Sequence, residues 1–202
     1  MLFFRKSEYP EKWNKHIVLL PHDRLLQHTL IPLVPAWVKP NHITVARIFL
    51  IPPVLLALNE GNYAWGVPLF LFIALTDAFD GSLARVRRQI SEWGILYDPV
   101  ADKLFIGSVL FLIVLQHINF YLGMTLLGVE AAIIVIGWYR VRQGTVEPAN
   151  VWGKIKMVTE VAAILLLLTA LWFNIDMLTD VSTSTLALAL VFAVVSVLTR
   201  IK

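Results

Sequence analysis

Apolar residues run almost unbroken through six stretches of the chain, at about residues 43–58, 64–86, 95–116, 119–139, 154–173 and 182–199. A helix needs about 20 mostly apolar residues to cross a bilayer core, so each stretch predicts a transmembrane helix, the first borrowing residues from its flanks. Polar dividers separate them: Asn59-Glu60-Gly61-Asn62, the basic stretch around Arg85–Arg88, His117-Ile118-Asn119, the Arg140–Asn150 segment and 174–183. Residues 21–38 follow another rule. Leu25, Leu26, Leu30, Ile31, Leu33, Val34 and Trp37 alternate there with His22, Asp23, Arg24, Gln27 and His28. That pattern predicts an amphipathic helix in the membrane interface, broken at Pro32 and Pro35, with a disordered basic arm as the alternative.

Composition agrees with the pattern. Hydrophobic residues make up 58% of the chain and charged ones 15%, well below the roughly 25% charge of a soluble domain. The expected fold is an all-α integral membrane protein of six transmembrane helices preceded by an interfacial helix. With no cysteine, disulfides, thiol nucleophiles and cysteine-based metal sites are excluded. The charged start, through Lys15, lacks the pattern of a signal peptide. No internal repeat supports an inverted-repeat transporter. Neither a Gly-rich phosphate loop nor a basic–aromatic pattern for nucleic acid is present.

The distribution of charge sets the orientation. All 17 Lys and Arg fall at the termini or the even-numbered connections, while the odd-numbered connections carry only Glu60, Asp176 and Asp180. Both termini are therefore expected in the cytoplasm. Residues 1–39 form a cytoplasmic N-terminal segment, and 40–202 a membrane domain in the cell (inner) membrane.

Ionisable residues inside spans cost roughly 2.5–3.5 kcal/mol each by insertion scales and usually mark function. Asp77 and Asp80 lie in the cytoplasmic half of the second span, and Asp98 and Asp102 open the third from the same side. At about 100° per residue, Asp77, Asp80, Gly81, Ala84 and Arg85 share one arc of about 140°. Gly94, Asp98 and Asp102 step by four along one face if the helix already runs through them. Alternatively, Asp98-Pro99 caps the helix and leaves Gly94 outside. Four carboxylates at one depth need counter-charge. Arg85 supplies one, Lys103 is a second candidate, and divalent ions complete the balance. An all-oxygen donor set points to Mg²⁺ or Mn²⁺ and to phosphoryl chemistry. A structural Asp–Arg network and a divalent-cation channel or transporter are the competing readings.

These residues form one pattern: Asp77-x2-Asp80-Gly81-x2-Ala84-Arg85-x8-Gly94-x3-Asp98-x3-Asp102. It resembles the signature of the CDP-alcohol phosphatidyltransferase family at all eight fixed positions. The resemblance implies that an alcohol hydroxyl attacks the β-phosphorus of a CDP-linked lipid and that CMP leaves. It implies that Asp77, Asp80 and Asp98, joined by Asp102, hold two metal ions. Asp77, Asp80, Gly81, Ala84, Arg85 and Asp98 then line the CDP site, with Asn41 and Thr44 beside them, and Asp102 is the general base. The family often forms homodimers, although no Gly-x3-Gly pair selects a face here.

Within the family, Pro40-Asn41-His42-Ile43-Thr44-Val45-Ala46-Arg47, Asp98-Pro99-Val100-Ala101-Asp102-Lys103 and Gly153-Lys154-Ile155-Lys156 resemble segments of bacterial phosphatidylglycerophosphate synthases. This implies CDP-diacylglycerol as donor and glycerol 3-phosphate as acceptor. Inositol phosphate, serine and phosphatidylglycerol are the rival acceptors. One position departs: an Arg-Glu pair common in those enzymes is Val129-Glu130 here. Arg47, Arg140, Arg142, Lys154 and Lys156 are the candidate contacts to the acceptor phosphate. The alternative reading of the last four is flanking charge that contacts lipid headgroups, and Arg47 could instead snorkel to the interface.

Overall fold

The computed structural model of the chain describes Leu19 and residues 21–142 and 151–201. Every regular element among the described residues is helical. Helix α1 (Pro21–His28) leads through a 3-10 turn at Ile31–Leu33 to α2 (Pro40–Asn59), α3 (Tyr63–Val86) and α4 (Glu92–Val109). A π-helical segment, Leu110–Val114, and the short α5 (Leu115–His117) follow, then α6 (Phe120–Arg142), α7 (Val151–Phe173) and α8 (Asp176–Ile201).

Five stretches are long and apolar enough to cross a membrane: Pro40–Asn59, Tyr63–Val86, Phe120–Gly137, Val151–Phe173 and Asp176–Thr199. They match five of the six expected spans. The sixth, 95–116, is divided among α4, the π segment and α5. Physically, α4 carries Glu92, Asp98, Asp102 and Lys103 within 18 residues, so the charges that make the motif also dilute its hydropathy. Phe49, Leu56, Leu75, Phe111, Val135 and Leu188 stand exposed on these helices. Apolar surface so extensive suits lipid rather than water, and helices satisfy their own backbone groups there. The chain is a multi-pass membrane protein.

Two compact units divide the chain. The first combines the described residues up to Pro52 with Phe72–Asp102, and the second combines Pro53–Leu71 with those from Lys103 onward. Helices α2, α3 and α4 contribute to both, and the whole 77–102 motif falls in the first.

Within the first unit, the 21–38 stretch is helical only as far as His28; Pro32 lies in the 3-10 turn. Leu25, Leu33 and Trp37 are exposed, whereas Asp23 is fully buried. Helix α3 ends in a Schellman arrangement. The Gln89 N–H donates to the Ala84 carbonyl at 2.9 Å and the Arg88 N–H to that of Arg85 at 3.2 Å, with Arg88 at φ +53°, the left-handed turn that satisfies the last carbonyls. Ser91 then caps α4, its hydroxyl oxygen accepting from the Gly94 N–H at 3.0 Å. Helix α4 therefore starts before Gly94 and runs through Pro99, so the first of the two readings of Asp98-Pro99 is the one realised.

The second unit is an apolar core built around Leu58, Phe70, Phe105, Leu126, Leu167 and Leu186, all at most 2% exposed. Phe70 and Phe105 pack with ring centroids 5.1 Å apart. The buried Ser182 hydroxyl donates to the Ala163 carbonyl at 2.7 Å, tying α8 to α7 at a position where small side chains let the backbones approach.

Candidate active site

Helix α2 gathers the acidic residues of α3 and α4. Thr44 and Arg47, three residues apart, share a helix face, and both are buried. The Thr44 hydroxyl oxygen lies 2.6 Å from Asp98 Oδ1 and 3.4 Å from Asp80 Oδ2, so its single proton serves one carboxylate at a time. Arg47 donates from Nη1 to Asp77 and from Nη2 to Asp80. Its Nε is buried with no partner among the described residues. Three carboxylates from two helices are thus held around one guanidinium and one hydroxyl.

The glycines of the motif have a steric role in this arrangement. A Cβ on Gly94 would lie 3.2 Å from Asp98 Oδ2, 3.2 Å from Ser91 Oγ and 3.4 Å from Asn41 Oδ1. The bare backbone therefore makes room for Asp98 and for the Ser91–Asn41 hydrogen bond of 2.8 Å. A Cβ on Gly81 would lie 3.3 Å from Arg85 Nη1. The open side of Gly81 faces the Arg85 guanidinium, lying back along its own helix. Ala84 is half-buried on the next turn, and Asp102 is half-buried one turn beyond Asp98 on the same face of α4.

The counter-charges differ from those expected. Arg47, not Arg85, neutralises Asp77 and Asp80. Arg85 instead pairs with Asp23 of α1, 2.8 Å from Nη2 to Oδ1. Lys103 pairs with Glu130 at 3.1 Å. Sequence reasoning missed Asp23 because it sits among polar residues of an apparently surface-lying helix. It passed over Arg47 as a partner because the motif starts thirty residues later.

Of the candidate acceptor contacts, Arg47 belongs to the acidic cluster. Lys154 is exposed in the first turn of α7, and Arg140 and Arg142 end α6 with side chains outside the described ones. Lys156 is buried in the second unit, ion-paired with both Glu130 and Glu160. Glu160 keeps one buried oxygen, Oε1, unpartnered among the described residues. The i, i+4 spacing of Lys156 and Glu160 was a legible signal for this pair.

Among the described residues no three His, Asp or Glu side chains close on a single point as a finished metal cage. The donor chemistry nevertheless fits a hard divalent ion: carboxylate oxygens from two helices, gathered where a cationic group already lies.

Comparisons with known proteins identify the family. The sequence profile of the CDP-alcohol phosphatidyltransferase family matches residues 37–198. The chain is 33% identical over 139 residues to a CDP-diacylglycerol–glycerol-3-phosphate 3-phosphatidyltransferase of Pseudomonas fluorescens, covering 64% of this chain and 71% of that one. It is 34% identical over 140 residues to a probable phosphatidylglycerophosphate synthase of Mycobacterium tuberculosis, covering 65% and 66%. A CDP-diacylglycerol–glycerol-3-phosphate 3-phosphatidyltransferase of Mycoplasma pneumoniae is 31% identical over 166 residues, covering 67% and 72%. With a profile spanning most of its length and an acidic cluster built from the motif residues, this chain belongs to the CDP-alcohol phosphatidyltransferase family and is a transferase of phospholipid biosynthesis.

Proposed function

We propose that the enzyme transfers a phosphatidyl group from CDP-diacylglycerol to glycerol 3-phosphate, forming phosphatidylglycerophosphate and releasing CMP. The observation that carries this reading is the gathering of Asp77, Asp80 and Asp98 by Thr44 and Arg47, within a family whose similar members bear that activity in their names.

Asp77, Asp80, Asp98 and Asp102 are the residues to hold Mg²⁺ or Mn²⁺, two ions in our reading, which when bound offset charge on the pyrophosphate and on departing CMP. Gly81, Ala84 and Arg85 line the CDP moiety with Asn41 and Thr44, and the forked donors of Arg85 suit a phosphate. Asp102 removes the proton of the acceptor hydroxyl. That oxygen bonds to the β-phosphorus, the bond from the β-phosphorus to the bridging oxygen breaks, and CMP departs with the electron pair. Arg47, Arg140, Arg142 and Lys154 remain the candidates for the acceptor phosphate, whereas Lys156 is committed to Glu130 and Glu160. In this reading the chain has six spans, an interfacial N-terminal helix and cytoplasmic termini, and the chemistry runs at the cytoplasmic face of the cell (inner) membrane; the Lys and Arg at the termini and even-numbered connections support it.

The test is CMP release by the purified protein with CDP-diacylglycerol and Mg²⁺, offering glycerol 3-phosphate, inositol phosphate, serine and phosphatidylglycerol separately. Release with glycerol 3-phosphate alone is expected. Release with another acceptor alone replaces the substrate, and flux of divalent ions without nucleotide turnover replaces the class. In the same assay Asp102→Asn should abolish turnover while CDP-diacylglycerol still binds; normal turnover removes Asp102 as the base.

A further inference from the structure

The pairing of Arg85 with α1 has no place in the chemistry described so far. Asp23 lies in the first turn of α1 and is fully buried, although its neighbours Arg24 and Leu25 are exposed. Both of its oxygens accept from Arg85: Oδ2 from Nε and Oδ1 from Nη2, each at 2.8 Å. A bidentate pairing fixes the plane of a guanidinium as well as its place. Ser82 Oγ lies 3.3 Å from the same Nη2.

With its Nε–Nη2 edge gripped in this way, Arg85 lays Nη1 over Gly81, 3.3 Å from where a Cβ would stand. Gly81 is one residue beyond Asp80. The guanidinium is therefore turned along the helix face that carries Asp77 and Asp80, rather than outward from the end of α3.

A second arginine fastens the same arm independently. Arg87 donates to the carbonyls of Val34, Pro35 and Val38, the last two at 3.2 and 3.0 Å. Both arginines thus tie the arm to the end of α3, and of the two Arg85 is the motif residue. An unrestrained arginine loses rotamer entropy on binding, and a carboxylate clamp removes that cost before the ligand arrives.

We propose that Asp23 is a positioning residue of the nucleotide–lipid site: it holds the Arg85 guanidinium in the orientation that meets a pyrophosphate, which makes the N-terminal arm a working part of donor binding. The inference rests on Arg85 being a CDP-site residue. Removing the clamp acts on donor binding rather than on the attack step, since the residue that it holds is one that meets the donor's pyrophosphate.

The experiment uses the full-length protein in nanodiscs. KM and kcat for CDP-diacylglycerol and direct binding of that lipid are measured for wild type, Asp23→Asn, Asp23→Glu, Arg87→Gln and Arg85→Ala. Asp23→Asn should raise KM and the dissociation constant roughly tenfold with kcat within about threefold. Asp23→Glu, which keeps the charge, should recover most of the loss. Arg87→Gln loosens the arm without touching Arg85 and should leave KM unchanged. Should Asp23→Asn fail to fold, Asp23→Glu still decides, because its longer side chain displaces the carboxylate and should give a smaller rise in KM. Wild-type binding by every folded Asp23 variant overturns the proposal, as does tighter binding, which would make Asp23 a competitor of the phosphate. An equal loss in Arg87→Gln assigns the effect to the arm as a whole and overturns it too. If Arg85→Ala binds CDP-diacylglycerol normally, it is the reading of Arg85 that fails.

Discussion

The acidic site depends on Thr44 more than the motif suggests. Its hydroxyl touches carboxylates from two helices, and a hydrogen bond to a charged group contributes about 1.5–3 kcal/mol. Thr44→Val keeps the shape and removes the donor. We expect kcat/KM to fall by roughly 10- to 100-fold, with a thermal midpoint close to wild type because the side-chain volume is kept. Unchanged kinetics would mean that Asp80 and Asp98 hold their places unaided. The eight motif residues themselves were legible from spacing, since carboxylates in apolar helices stand out. Thr44 and Arg47 were legible only as residues of a familiar segment. Their link to Asp77, Asp80 and Asp98 is a long-range contact, 30 to 54 residues away in the chain, and nothing in helical periodicity encodes it.

At the scale of elements, the connection from α3 to α4 determines where the two halves of the motif meet. Arg88 adopts φ +53° without being glycine, which a Cβ makes unfavourable by about 1 kcal/mol. Arg88 is exposed, so Arg88→Gly should relieve the strain at little other cost. We expect stability to rise by about 0.5–1 kcal/mol, read as a higher midpoint of thermal unfolding in detergent, with kcat unchanged. A lower midpoint would show that the Arg88 side chain makes a stabilising contact. Helix positions were largely readable from apolar runs. The third expected span takes the form of α4, a π segment and α5, which mixes the charges of the motif with an apolar continuation. The amphipathic reading of 21–38 missed that Asp23 faces inward, because alternation marks two faces without saying which one finds a partner.

Across the molecule, the buried charges among the described residues assort into three sets, of which Asp23 with Arg85 is one. Asp77 and Asp80 are balanced by Arg47 in the first unit, and Glu130 and Glu160 by Lys103 and Lys156 in the second. Breaking a buried ion pair from one side leaves an uncompensated charge and costs about 3–5 kcal/mol. Lys156→Met should therefore unfold at a clearly lower temperature, and the double variant Lys156→Met/Glu160→Leu should recover part of the loss. If the two variants are equally destabilised, the pair is not coupled. Membrane class and family were readable from composition and motif. The assortment of charges was not, apart from the i, i+4 pair Lys156–Glu160, because intramembrane acids name themselves but not their distant partners.

The most direct test of the central claim is a product balance. Purified protein would be given CDP-diacylglycerol, Mg²⁺ and radiolabelled glycerol 3-phosphate, with CMP and labelled lipid quantified together. The account predicts CMP and phosphatidylglycerophosphate in equal amounts, neither forming when Asp102 is replaced by Asn. CMP released without labelled lipid, or neither product from a protein that binds both substrates, would contradict it.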